Sequence, residues 1–236
     1  MTDIAAAVHL ALGLLINREP ALLAIIGLSL AVSFLASAAA AICGLMLGAV
    51  LTMFRFRGRA ALVLISNALL GLPPVVVGLT LYLLLSRSGP LGFLKLLYTP
   101  AAMALAQFLL ALPIVTALTH RAAAEVWRDF GDPLRVDGVR PFQAIFHVLA
   151  IGRRGAMTAS LAGFGRSVSE VGAILIVGGN IAGYTRTMTT AITLETSEGN
   201  FAFALALGFV LIAISIAVSV TAFGLEALSQ RVRRDS

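Results

Sequence analysis

Arg166 and Glu170 are the residues in this sequence whose types and spacing ask for chemistry. They stand four apart in FGRSVSEVGAILIVGGN (Phe164–Asn180), whose second half is as apolar as a membrane helix. At i, i+4 the two side chains share one helical face and can form an ion pair. A charge at the centre of a spanning helix costs on the order of 2.5–3.5 kcal/mol on insertion scales, so pairing offsets part of a real penalty. Charges held at that depth face a bundle interior or a wet cavity. They mark either a structural tie between helices or a route for an ion. Both readings put this segment at the centre of an assembly.

Other chemistry has little foothold. The chain has no GxxxxGK[ST], HExxH or GxSxG pattern and no paired carboxylates, and its only lysine, Lys95, follows Phe93 and Leu94. It therefore cannot hydrolyse ATP through a phosphate loop of its own. His9, His120 and His147 lie in different segments, and the one cysteine, Cys43, sits inside an apolar run. Neither a metal site nor a disulfide framework is expected, no cofactor is implied, and enzymatic function has little support.

The elements that must position the pair are membrane helices. Hydrophobic residues fill 59% of the 236 positions and charged residues only 12%, with a mean hydropathy of +0.99. A soluble domain keeps about a quarter of its residues charged. Charge-free runs cover Pro20–Phe54 (35 residues), Ala60–Ser86 (27), Ala101–Thr119 (19) and Phe201–Leu225 (25). Crossing the hydrocarbon core takes about 20 helical residues. Pro20–Phe54 reads as one helix with apolar overhang, and Gly155–Gly179, interrupted by the charged pair, is the fifth candidate. The expected fold is an all-α membrane protein with five transmembrane helices over 20–225. Residues 1–19 are expected to lie along the interface, since Ile4–Ile16 is apolar but 13 residues long and Asp3 replaces the basic start of a signal peptide. Residues 226–236 form a basic tail.

Basic residues favour the cytoplasm. With the N-terminus outside, twelve of the seventeen face inward, including Arg55, Arg57 and Arg59, six between Arg121 and Arg154, and Arg231, Arg233 and Arg234. Only Arg18, Arg87, Lys95 and Arg186 face outward. The expected topology is N-out, C-in. The net charge of +6 follows from topology and anionic headgroups, so nucleic acid is not needed as a partner.

Along the chain, Ser29, Ser33 and Ser37 recur every four residues on one helical face, as a close-packing stripe or as a polar strip lining a path. Pro73 and Pro74 should kink the second span, and Pro113 should bend the third near its inner end. His120–Gly155 is the longest polar segment and is read as cytoplasmic, either a linker or a docking surface. Within it Ala122–Phe130 should continue the third span until Gly131 ends it. Asp132 should then cap a short helix opened by Pro133 and stopped by Gly138. Pro141 should open an amphipathic helix with Phe142, Ile145, Phe146 and Leu149 on one face, lying beside the membrane. Most helix–helix loops run about 2–8 residues, so this elaboration favours docking over linking. Gly178–Asn200 reads as an outer loop rich in glycine and threonine.

The stretch FGRSVSEVGAILIVGGNIAGYTRTMTTAITLETSEGNFAFALALG (Phe164–Gly208) resembles the signature region of bacterial tungstate ABC-transporter permeases, close relatives of the molybdate and sulfate permeases. GLPPVVVGLTLYLLLSRSGPLG (Gly71–Gly92) and YTPAAMALAQFLLALPIVTALT from Tyr98 resemble the same type, so the similarity runs from about Ala21 to Gly224. It implies a type I ABC importer permease of the molybdate-permease-like fold, a homodimer in the bacterial inner membrane. A periplasmic or lipid-anchored oxyanion-binding protein would deliver the anion, and two cytosolic ATP-binding subunits would dock on short coupling helices. In such permeases the cytoplasmic loop carries an EAA-type sequence followed after three residues by glycine. Gly138 matches that glycine, whereas Asp132-Pro133-Leu134 occupies the EAA positions with other residues and Ala150-Ile151 replaces the usual Leu-Pro end. The resemblance thus implies ATPase coupling through Asp132, Pro133, Leu134, Arg135, Asp137 and Gly138. It implies a translocation path or gate at Arg166, Glu170, Gly178, Gly179 and Asn180, to which the Ser29–Ser33–Ser37 strip would add.

The reading is an oxyanion importer permease, tungstate first and molybdate or sulfate next. A membrane scaffold recruiting a cytosolic partner is the rival from another class. A secondary transporter fits poorly, because no inverted repeat is visible.

Overall fold

The structure, a computed structural model, describes residues 2–234. Asp235 and Ser236, the end of the expected basic tail, lie outside the described residues. Those described form helices and connections with no strand among them. The helices are α1 (Thr2–Ile16), α2 (Pro20–Met53), α3 (Arg59–Ala68), α4 (Pro74–Leu85), α5 (Pro100–Val136), α6 (Pro141–Ile151), α7 (Arg153–Val168), α8 (Gly172–Gly178), α9 (Met188–Ser197) and α10 (Phe201–Arg234).

Among the described residues three helices are each long and apolar enough to cross a membrane: Pro20–Met53, Pro100–Val136 and the Phe201–Ala222 part of α10. Two sharply bent pairs, Arg59–Gly71 with Pro74–Leu85 and Arg153–Val168 with Gly172–Gly178, raise the number to as many as five if each pair is one span. The expected kink at Pro73–Pro74 is thus a break, and the reason is local. A residue before proline is driven out of the helical region. Leu72 precedes Pro73 and Pro73 precedes Pro74, so both are extended, at φ −61°, ψ 121° and φ −66°, ψ 123°. One proline bends a helix, but two in succession end it here. Pro113 stays inside α5.

α5 also corrects the expected cytoplasmic segment. It runs unbroken through Gly131, Asp132 and Pro133 to Val136, so Gly131 is not a stop, Asp132 is not a cap and Pro133 opens no separate helix. Gly131 instead makes room for an aromatic ring, because a Cβ there would meet Trp127 ring carbons at 3.1 Å. On α6 the buried face is Ala144, Ile145 and Val148. Phe142 and Phe146, expected on that face, are 74% and 63% exposed, and Phe142 stacks obliquely on Phe54 at 5.8 Å between centroids. The expected outer loop contains the ten-residue α9. Its start is fixed by a capping box in which the Thr187 and Thr190 side chains each serve the other's backbone end, a threonine version of the usual motif.

The chain packs as two compact units. One comprises residues 2–36, 73–107 and 166–217; the other comprises 37–72, 108–165 and 218–234. In the first, α4 and α8 meet so closely that a Cβ on Gly78 would come within 2.8 Å of Ala173 Cα. In the second, Ala40, Ala111, Val115 and Ala159 are fully buried together, with Leu45, Phe108, Leu112 and Leu118 around them. A Cβ on Gly44 or Gly163 would press on the Val115 side chain at 2.8 and 2.7 Å. Small residues let membrane helices approach closely, and dispersion then holds them. His120, on α5, places its Nδ1 2.8 Å from the Thr52 hydroxyl oxygen, within hydrogen-bond reach, in this same unit.

Candidate functional site

The first unit gathers the charged pair and its supports. Arg166 sits in the last turn of α7 and Glu170 lies in the break before α8, so the two are not on one continuous helix. They nevertheless pair, Arg166 Nη1 donating to Glu170 Oε2 at 2.6 Å. The carboxylate side is 2% exposed and the guanidinium side 28%, so the anion is sealed while part of the cation reaches the surface of the unit. Glu170 Oε1 accepts the Ala173 backbone N–H at 3.0 Å. One carboxylate therefore neutralises the arginine and caps the first turn of α8, where a negative charge is favoured by the helix dipole.

The backbone of the break is held as well. Thr189 Oγ1 donates to the Glu170 carbonyl at 2.7 Å, and Gln107 Nε2 donates to the Ser167 carbonyl at 2.8 Å. These bonds satisfy carbonyls that the interrupted helix leaves unpaired. Gln107 Nε2 also reaches Ser33 Oγ at 3.3 Å, which ties α2 to α5. Ser29 accepts the Met188 N–H at 2.6 Å while donating to the Ile25 carbonyl at 2.9 Å. Ser29, Ser33 and Ser37 are all buried. The first two belong to this unit, where they serve as helix-joining groups, and Ser37 belongs to the other unit.

Gly178, Gly179 and Asn180 finish α8. Gly179 takes the left-handed cap at φ +71°, and a Cβ there would lie 2.8 Å from the Tyr98 ring. Gly178 packs on Met103, and its carbonyl accepts the Thr185 hydroxyl at 2.6 Å. Asn180 is also left-handed, at φ +50°. Gln107 Oε1, Ser167 Oγ and Asn180 Oδ1 are buried with no hydrogen-bond partner among the described residues. The site thus holds a sealed acid, a partly open guanidinium and spare polar capacity.

Three contributors escape a reading of the sequence. Gln107 carried a signal, as the only side-chain amide in the charge-free Ala101–Thr119 run. Thr189 carried none, since its role needs α9 to exist. Arg186 lies 3.9 Å from Glu195 Oε1, while Glu195 Oε2 takes Asn200 at 2.7 Å.

The residues expected to couple to an ATPase lie in the second unit, at the end of α5. Val139 N–H bonds to the Leu134 carbonyl and Gly138 N–H to the Arg135 carbonyl, each at 3.1 Å, with Gly138 at φ +70°. That is a Schellman stop. Arg140, just before Pro141, is extended and feeds α6. Asp132 pairs with Arg135 at 3.1 Å, and the Arg135 guanidinium sits 5.1 Å from the centroid of Trp127. Asp137 ends the helix, its N–H on the Pro133 carbonyl at 3.0 Å. No group of three or more His, Cys, Asp or Glu among the described residues could hold a metal ion.

Comparison with known proteins agrees in character with this arrangement. Residues 40–234 match the family described as binding-protein-dependent transport system inner membrane component. The chain is 42% identical to a "Probable anion ABC transporter permease protein" of Haloferax volcanii, over 76% of this chain and 79% of that one. It is 37% identical to the tungstate uptake system permease protein TupB of Peptoclostridium acidaminophilum, over 85% of this chain and 88% of the relative. It is also 40% identical to the TupB of Campylobacter jejuni, over 63% and 62%.

Proposed function

The chain belongs to the family of binding-protein-dependent transport system inner membrane components, and from that premise we propose that it is the permease subunit of an ABC importer for tungstate. One observation carries the substrate: the similarity to a tungstate uptake permease extends over 85% of this chain, too much to reflect a shared docking motif alone. The chain supplies the membrane path and a separate ATP-binding subunit supplies hydrolysis, in keeping with the missing phosphate loop. Two copies of the chain form the pathway. Each crosses the membrane five times, N-terminus out and C-terminus in, with the two broken pairs as spans.

The ATP-binding subunits dock at the Schellman turn and α6, through Asp132, Pro133, Leu134, Arg135, Asp137 and Gly138. A binding protein, periplasmic or lipid-anchored, delivers the oxyanion from the other side. Closure of the ATPase pair moves the turn, and the broken spans are where the backbone can re-angle without losing helical hydrogen bonds. Arg166 borders the path, being the more exposed partner of its pair. Glu170 limits how strongly that cation holds a passing anion. Gly178, Gly179 and Asn180 shape the outer end of the same broken span.

The test is reconstitution of the full chain with its ATP-binding subunit and binding protein in proteoliposomes. ATP-dependent tungstate uptake, with ATPase activity raised by the loaded binding protein, is the expected result. A scaffold would leave the ATPase indifferent to the loaded binding protein. Uptake of molybdate or sulfate in preference to tungstate would reassign the anion but keep the class.

A further inference from the structure

A cavity of about 290 Å³ lies in the second unit, where the end of α2 meets α5 and α6. Met53, Phe54 and Trp127 wall it, Ala144 lies at its floor, and Arg55 and Arg135 are its only charged lining residues. The apolar run of α2, long enough to cross a membrane, ends at Met53, and Arg55 follows two residues later. The end of α2 thus passes from apolar to basic beside the cavity, the change of character that marks a headgroup zone, where tryptophan and arginine concentrate.

The two cations differ. Arg135 is held in place by Asp132 at 3.1 Å and by the Trp127 face at 5.1 Å, and Trp127 itself is seated against Gly131. Arg55 is exposed and forms no ion pair among the described residues. Two guanidiniums against one carboxylate leave the cavity positive. Its apolar walls would strip water from a small inorganic anion and give nothing back. An amphiphile satisfies both halves, and Phe142, stacked on Phe54 and 74% exposed, carries the apolar surface outward.

We propose that this cavity binds the headgroup of an anionic phospholipid, its phosphodiester between Arg55 and Arg135 and its apolar part against Met53, Phe54 and Trp127. The site does not depend on which anion the chain transports, but it shares Arg135 with the docking surface proposed above, so it is tested on the permease without its ATP-binding subunit. Its test uses the full chain in a non-ionic detergent, with retained lipid counted by native mass spectrometry. The probes are phosphatidylglycerol, phosphatidylcholine and inorganic phosphate. Phosphatidylglycerol should be retained over phosphatidylcholine. Arg55→Gln should lower its retention roughly fivefold, the effect of one basic residue at an anionic lipid surface. Arg55→Lys should keep most of it. Because Arg55 is exposed, its replacement leaves the buried core untouched. Arg153→Gln removes the same charge elsewhere on the surface and should change nothing. Equal retention of the two lipids would overturn the proposal, as would an equal loss in Arg153→Gln, which would mark a diffuse basic surface. Displacement of phosphatidylglycerol by millimolar phosphate would overturn it in favour of a free-anion site.

Discussion

Glu170 does two jobs with two oxygens, and its replacements should separate them. Glu170→Met strands a partly buried arginine and uncaps α8 at once, so it should lower stability by about 3 kcal/mol. Arg166→Met with Glu170→Met removes the charge imbalance but still leaves the Ala173 N–H without its acceptor. Arg166→Met with Glu170→Gln keeps an amide oxygen for that N–H and should recover most of the loss. Thermal unfolding in detergent reads these differences, and tungstate uptake by the same proteins reads function. Full uptake by Arg166→Met with Glu170→Gln would reduce the pair to a structural tie. Ser29→Ala should cost about 1–2 kcal/mol by leaving the buried Met188 N–H unpaired. The pairing of Arg166 and Glu170 was legible in their spacing. The capping role was not, because it needs the helix to break at Ser169–Val171, and nothing in that short stretch is a proline. Ser29 was legible as a buried small residue, but its partner is 159 positions away.

At the scale of elements, two of the prolines were readable punctuation, whereas Pro133, expected to open a helix, lies inside α5. Pro73–Pro74 announced an interruption and Pro141 a helix start, because proline acts on its own backbone and on the residue before it. Gly131 misled, since the same residue type can end a helix or make room for a ring, and only Trp127's position decides between them. Gly138 was legible because its position and the flanking pattern agreed. A Cβ there meets nothing within 4 Å, so the glycine is needed for its φ of +70° and not for space. Gly138→Leu should therefore cost only about 1 kcal/mol of stability while misdirecting the α5–α6 turn. The protein should insert normally but fail to retain its ATP-binding subunit on co-purification. Asparagine tolerates the left-handed region better, so Gly138→Asn should recover part of that retention. Loss of retention in Gly138→Leu with no recovery in Gly138→Asn would point to a contact with the glycine itself.

For the whole molecule, charge-free run lengths gave the three long apolar helices to within a few residues at their starts. The two broken pairs were legible as apolar segments, with an interruption expected at Pro73–Pro74 and none between Val168 and Gly172. Topology can be settled by labelling. In a Cys43→Ala background, an impermeant thiol reagent should modify Thr196→Cys in intact cells and leave Ser236→Cys untouched. Labelling of both to the same extent would sink the N-out, C-in arrangement. Thr196 is exposed near the end of α9, and removing Cys43 matters because it is exposed too. The division of the chain was the least legible property, since both units draw on three separate stretches of sequence. One feature of that second unit turns the molecule into its own instrument. Trp127 is the only tryptophan in 236 residues, and it lies beneath Arg135, about three helical turns before the stop at Gly138. Ultraviolet emission excited at the red edge, where tyrosine no longer absorbs, therefore comes from this one indole. A shift in its colour or lifetime on adding a tryptophan-free partner would report events at the turn in real time, with no dye attached anywhere.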